Sequence, residues 1–317
     1  MAEVQPKFGI SSYLQNIVCQ LGQSQVFEDG ESLLSELLGI SISARQIQRV
    51  SEYYGEELEK QLTKEIADKA EVKSPLNAEG DVYVMADGSM VYTREEGWKE
   101  LKLGRVFAAA DHVKIQEARS AITNSLYVAH LGEHETFTRK MEAYIDRYKN
   151  KVCIADGAKW IWGWIENTYP EAIQILDYYH AVEKLSPFAL AQWDCCEARK
   201  KWMKEQQEKL LNNQVDEVIR TIERTITRNK EGQLAKETLL RYYQQNQSRM
   251  QYKTYKDKGL LIGSGPMEAA HRNVVQQRLK LSGQRWTIQG AQYIVNLRAT
   301  KKSHQWDKVT QLIKKVA

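Results

Sequence analysis

Three acidic residues stand where a folded chain could aim them at a phosphate group. Asp87 follows an apolar run in Val84-Met85-Ala86-Asp87-Gly88, and Asp156 follows another in Val152-Cys153-Ile154-Ala155-Asp156-Gly157. Both runs read as short strands, with the acids at their ends. Glu268 lies in Gly263-Ser264-Gly265-Pro266-Met267-Glu268. There a Gly-rich turn opens a helix, with proline and a carboxylate in its first turn. Cleaving or transferring a phosphodiester requires an activated nucleophile and a neutralised leaving oxygen. Two Mg²⁺ ions about 3.5–4 Å apart can do both. Such hard ions take oxygen ligands, so two aspartates and a glutamate suit them, and Mn²⁺ should be accepted as well. Each acid has a plainer structural role open to it. Asp87-Gly88 is a hairpin-turn dipeptide, Asp156 could cap the next helix, and Glu268 could only complement a helix dipole.

Around these acids lie groups suited to nucleic acid. Arg272, Arg278, Lys280 and Arg285 follow Glu268; they are expected to grip phosphates, with Trp286 stacking on a splayed base. In Asp177-Tyr178-Tyr179-His180, Asp177 could cap a helix with His180 over the same turn, or both could lie beside the metal ions. Trp160, Trp162 and Trp164 read as packing residues. From residue 251 onward 13 Lys and Arg face 3 Asp and Glu, whereas the first 250 residues carry 32 bases against 38 acids. A basic C-terminal third on a mildly acidic body is the asymmetry of a phosphate-binding face.

The elements that must position these side chains follow from pattern. A chain of 317 residues, 42% hydrophobic and 27% charged, predicts two or three globular units. No run approaches the ~18 apolar residues of a membrane span, and no leader opens the chain. The cytoplasm, in association with the nucleoid, is the expected location. Four cysteines lack any Cys-x-x-Cys pair and the histidines lack His-Glu-x-x-His, which argues against a zinc hydrolase.

Residues 1–68 read as a helical region. Leu33, Leu34, Leu37 and Leu38 form an apolar stripe broken at Gly39; Ser43 caps a second helix with Ile47 and Val50 inward, and Gly55 closes it. This is the layout of a helix-turn-helix that would present Arg45, Gln46, Gln48 and Arg49 to DNA, or of an ordinary helical hairpin. Residues 69–80 read as a linker. Residues 81–180 predict three strands in meander, then helix, strand, helix and strand, the order of an RNase H-like α/β core. Residues 181–256 read as an all-helical insertion, with Val215, Val218, Ile219, Ile222 and Ile226 on one face. Residues 257–317 form a basic helical part that returns to the core. The expected fold is thus α/β, a mixed sheet flanked by helices, with a helical insertion and an N-terminal helix-turn-helix.

At these residues the chain resembles the DDE transposases of bacterial insertion sequences, in particular those with a helical insertion preceded by an Asp/Cys-x-x-His motif. Three blocks carry the likeness. They are Ala86-Asp87-Gly88; Ala155-Asp156-Gly157 with Leu176-Asp177-Tyr178-Tyr179-His180; and Ile262 to Glu268 through Arg278-Leu279-Lys280, Gly283, Trp286 and Leu297-Arg298-Ala299. The resemblance implies Asp87, Asp156 and Glu268 as a metal-binding triad, with Asp177 and His180 as its accessory motif. It implies nicking of double-stranded DNA at terminal inverted repeats, attack of the freed 3′-hydroxyl on target DNA, and a homodimer on DNA. The segment before the helix-turn-helix is short for this family, a departure that points to reduced end recognition or descent from a truncated copy. A catalytically silent, domesticated DNA-binding relative and a structure-specific nuclease are the rival expectations.

Overall fold

A computed structural model describes residues 7–69, 71–77, 79–116 and 119–316. The first six residues of the expected helical region, and Ala70 and Ala78 of the expected linker, lie outside the described residues. The fold is mixed α/β and divides into two compact units, residues 1–150 with 266–317, and residues 151–265. No helix of the described residues is long and apolar enough to cross a membrane.

The first unit opens with α1 (Ser12–Ser24), α2 (Phe27–Leu38) and α3 (Ala44–Ala67). Gly39 ends α2 in the left-handed region at φ 63°, and the Ser43 side chain accepts from Gln46 N to start α3. Ile47 and Val50 are fully buried, but of the leucine stripe only Leu34 is buried, while Leu37 and Leu38 face solvent. Gly55 does not end the second helix, which runs on to Ala67. A Cβ there would lie 2.2 Å from the Tyr293 carbonyl oxygen, so the glycine allows a close helix approach rather than a stop.

The strands β1 (Val82–Thr93), β2 (Gly97–Ala108) and β5 (Leu126–Leu131) form an antiparallel meander, with β3 (His112–Gln116) and β4 (Arg119–Ile122) as a separate hairpin. The β1–β2 turn falls at residues 94–96, ahead of Gly97 at φ 70°. Asp87 therefore sits in mid-strand opposite Leu103, not at a strand end as the pattern implied. The strand signal that runs across Gly88 into Met90–Thr93 is present as the second half of β1, whereas the first half of β2, with Lys99, Glu100 and Lys102, carries no such signal. After β5 comes α4 (His134–Ile145). The stretch expected as a linker is held down: Val72 and Leu76 are buried, Arg147 pairs with Glu71, and Gln305 donates to Lys73 O at 2.9 Å.

The second unit begins with a parallel β–α–β: β6 (Lys151–Ala155), α5 (Lys159–Thr168) and β7 (Ile173–Leu176). It continues through α6 (Tyr178–Glu183), α7 (Leu185–Gln192), α8 (Cys196–Leu211), α9 (Val215–Arg224), α10 (Lys230–Asn246) and α11 (Tyr252–Asp257). The expected all-helical stretch is thus present. Val215, Val218, Ile219 and Ile222 are buried, whereas Ile226 lies past the end of α9 and is exposed.

The chain returns to the first unit along α12 (Gly265–Ala270), a π-helical stretch over His271–Gln276, and α13 (Gln277–Leu279). Last come α14 (Ile288–Lys302) and α15 (Asp307–Val316). Ala291, Ile294, Val295 and Leu297 of α14 are fully buried, and α14 packs on both α3 and β5. Arg298 is buried with them; its guanidinium donates to the carbonyls of Val274, Gln23 and Asn273, tying α14 to the segment after Glu268.

Candidate functional site

In the first unit Asp87 projects from the middle of β1 with its side chain 43% exposed. Its Oδ1 accepts from Gly88 N at 2.7 Å, which fixes the carboxylate rotamer. Its Oδ2 lies 3.1 Å from His271 Nε2. That is ion-pair range, yet neither ring nitrogen of His271 makes an aligned hydrogen bond, although the residue is only 5% exposed. A buried imidazole without an aligned hydrogen-bond partner carries a desolvation cost.

His271 stands three residues beyond Glu268, over the same helical turn. Glu268 itself is exposed in the first turn of α12. The start of that helix is pinned by Arg105, whose Nη1 donates to Pro266 O at 2.6 Å while Nε donates to Ser125 Oγ at 3.0 Å. Burial holds the Arg105 pKa below its ordinary value. The unit thus sets one strand-borne acid against a histidine that lies three residues past a second, exposed acid. The hairpin-turn role for Asp87 is excluded by its place in β1.

In the second unit Asp156 and Asp177 follow directly on β6 and β7, whose last residues Ala155 and Leu176 are partners in the parallel ladder. Asp177 N also donates to Ala155 O at 2.8 Å. The carboxyl ends of neighbouring parallel strands are where α/β proteins place their ligand-binding groups. Asp156 Oδ1 accepts from Ala158 N at 2.9 Å, and its carbonyl accepts from Trp162 Nε1. It therefore does shape the entry to α5, and Trp162 and Trp164 are buried packing residues as expected.

Asp177 is 1% exposed and fully engaged: Oδ1 accepts from His180 N at 2.8 Å and Oδ2 from Ser264 N. Burial raises its pKa, but the hydrogen bonds from His180 and Ser264 outweigh that and leave it lowered. Asp177 is thus both a helix cap and a latch on the turn that leads to Glu268, which Tyr178 N reinforces by donating to Ile262 O. His180 Nδ1 is 3.6 Å from Asp177 Oδ1, and this contact, against the cost of burial and with help from Asp156 and Glu183, raises its pKa to about 9. Gly157 is required here because a Cβ would meet the Tyr242 ring at 2.2 Å. Burial, then the charges of Asp156 and Asp177, push the Tyr242 hydroxyl pKa up.

Within either unit, among the described residues, no three His, Cys, Asp or Glu side chains gather closely enough to hold a metal ion by themselves. The donors nevertheless have the right chemistry: Asp87 and Glu268 present carboxylate oxygens to solvent, as hard divalent ions require.

The basic side chains divide. Arg45 and Arg49 are exposed on the first two turns of α3, with Glu52 and Glu56 following on the same face. Gln46 is half-buried and donates to Phe8 O at 3.0 Å, so it is committed to the fold. Arg272, Lys280 and Arg285 are exposed. Two expectations are corrected. Arg278 is 1% exposed; its Nε donates to Gly22 O at 3.0 Å, and its guanidinium lies 4.6 Å from the Phe27 ring and 4.8 Å from the Trp286 ring. Trp286 is 6% exposed, its Nε1 donating to Leu279 O at 3.2 Å. Neither side chain is open to a DNA strand, because a guanidinium with stacking and carbonyl partners is stable in a protein interior. His271 and Tyr242 went unassigned from sequence. His271 lies within the Glu268 motif, and its spacing of three from Glu268 was the available signal.

No protein-family model matches this chain, and no curated protein matches it.

Proposed function

We propose that the protein is a divalent-metal-dependent DNA transposase with an RNase H-like core and an N-terminal helix-turn-helix. It would cut at the terminal inverted repeats of a mobile element and transfer the freed 3′-hydroxyl into target DNA, working as a homodimer in the nucleoid. The observation that carries this reading is the pairing of Asp87, a solvent-open carboxylate in the middle of β1, with His271, three residues past the exposed Glu268. Asp156 and Asp177 at the ends of paired parallel strands support it.

Bound divalent ions would neutralise the leaving oxygen and activate the attacking hydroxyl; Asp87, Asp156 and Glu268 would hold them. Gly88 N orients the Asp87 carboxylate, and His271 lies alongside it. Asp177 fixes the Ser264 turn ahead of Glu268, and Arg272, Lys280 and Arg285 would bind backbone phosphates.

The test incubates purified full-length protein with duplex carrying the element's ends in Mg²⁺ or Mn²⁺. The proposal expects a nick with a 3′-hydroxyl at the end, lost in Glu268→Ala while duplex binding persists. A gel shift without any cut would mark a silent DNA-binding relative. Cutting of branched DNA without preference for the repeats would mark a structure-specific nuclease.

A further inference from the structure

The aromatic groups that meet solvent on the basic part of the first unit are not the tryptophan singled out from the motif. Trp98 is 64% exposed and Tyr92 is 38% exposed. They are direct cross-strand partners on β2 and β1, with ring centroids 5.4 Å apart at 86°. A cross-strand aromatic pair on a two-stranded ribbon is held rigid by the ladder beneath it.

The adjoining loop is equally fixed. Trp286 N donates to Tyr92 O, Arg94 N donates to Trp286 O at 2.8 Å, and Thr93 and Trp286 form a parallel bridge. Buried Trp286 is therefore the anchor that sets Arg285 beside Tyr92, with the guanidinium 5.9 Å from the ring centroid. Lys280 approaches the same strand, its Nζ 3.2 Å from Ser89 Oγ. Together Tyr92, Trp98, Lys280 and Arg285 line one open groove. Lys99 is neutralised by Glu96 at 2.6 Å. Lys280 and Arg285 have no carboxylate within 4.0 Å among the described residues. Large flat faces with unneutralised cations at their rim match a base attached to its phosphates.

Resting on the DNA-binding part of the reading above, we infer that Trp98, with Tyr92 behind it, is a stacking platform for an unpaired nucleotide of a DNA strand, whose flanking phosphates are held by Arg285 and Lys280. The motif's own tryptophan builds the platform instead of contacting the base. Stacking of this kind tolerates any base, so the site favours single-stranded or splayed DNA over intact duplex without reading sequence.

The test uses full-length protein and two fluorescein-labelled DNAs: a blunt duplex, and the same duplex with a 3′ single-stranded tail of about four nucleotides. Wild type is expected to bind the tailed DNA more tightly. Trp98→Ala should weaken tailed binding about 5- to 150-fold and leave blunt-duplex binding and melting temperature unchanged; Trp98→Phe should restore most of the difference. Arg285→Gln should reduce the salt slope of tailed binding by about one. Equal affinity of Trp98→Ala and wild type for tailed DNA overturns the inference. So does a shift from dimer to monomer in Trp98→Ala by light scattering with DNA affinity unchanged, since a second copy would then cover the platform. Tail-specific loss in a protein that never cuts DNA would sink the transposase reading and leave this site standing. A protein that cuts but ignores Trp98 would do the reverse.

Discussion

Replacing Arg278 by alanine separates two roles that the same residue could have had. As a phosphate contact its loss would weaken DNA binding and leave the fold intact. In the structure it is a core cation, 1% exposed, donating to Gly22 O and stacked against Phe27 and Trp286. Burial, with the nearby charge of Arg298, lowers its pKa to about 10, so it remains charged at neutral pH. Truncation removes a charge-assisted hydrogen bond of about 1.5–3 kcal/mol and two cation–π contacts of about 0.5–2 kcal/mol each. It also strands the Gly22 carbonyl and opens a cavity. Because the unpaired Nη2 already carries a cost, the net loss should be about 3–5 kcal/mol, the range of a large-to-small core truncation. In a unit of this size that lowers the melting temperature by about 6–20 °C. Differential scanning fluorimetry reads the shift, and anisotropy on blunt duplex below the transition reads binding. We expect a large thermal loss with unchanged affinity per folded molecule. An Arg278→Ala protein that melts like wild type but binds DNA more weakly would make Arg278 a phosphate contact and not a core cation.

The Asp177–His180 pair should make the second unit pH-sensitive. His180 has its pKa raised from 6.5 to about 9, so its stabilising charge is fully present below pH 6.5 and is lost as pH rises through about 9. Melting temperature should fall across that window in wild type, and Asp177→Asn should flatten the fall. Gly55→Ala forces a Cβ to within 2.2 Å of the Tyr293 carbonyl and should destabilise the first unit by about 1–3 kcal/mol or more in urea unfolding. Lys140 is 3% exposed and lies 2.5 Å from Glu59 Oε1, so Glu59→Gln should cost about 3–5 kcal/mol by the same measurement. If Glu59→Gln unfolds at the wild-type midpoint, the buried pair contributes nothing.

Several features of the fold are written in short-range pattern. Val152–Ala155 and Ala172–Leu176 are apolar runs ending at acids, and strands end there within a residue. Ser43, Asp177 and Gly39 carry their capping chemistry in their side chains or their freedom at positive φ, and each caps as expected. The failures share one cause, that residue type does not reveal burial. Asp87-Gly88 has turn composition, but pairing of Ser89–Thr93 with the polar half of β2 carries the strand through it. Arg278 and Trp286 have nucleic-acid composition, yet they stack on each other beneath α2. His271 has a spacing cue from Glu268 but none to Asp87, because only the π-helical stretch and β1 together bring those two side chains into contact. The hairpin of β3 and β4 does alternate at Val113 and Ile115, but both side chains are exposed and the run is too short to stand out.

The most direct test of the central claim is calorimetric titration of Mn²⁺ into the full-length, metal-free protein, in parallel with Asp87→Ala, Asp156→Ala and Glu268→Ala. Wild type should bind two ions, and each variant should lose at least one of them while retaining a wild-type affinity for duplex DNA. Mn²⁺ binding that is indifferent to all three substitutions would contradict that claim.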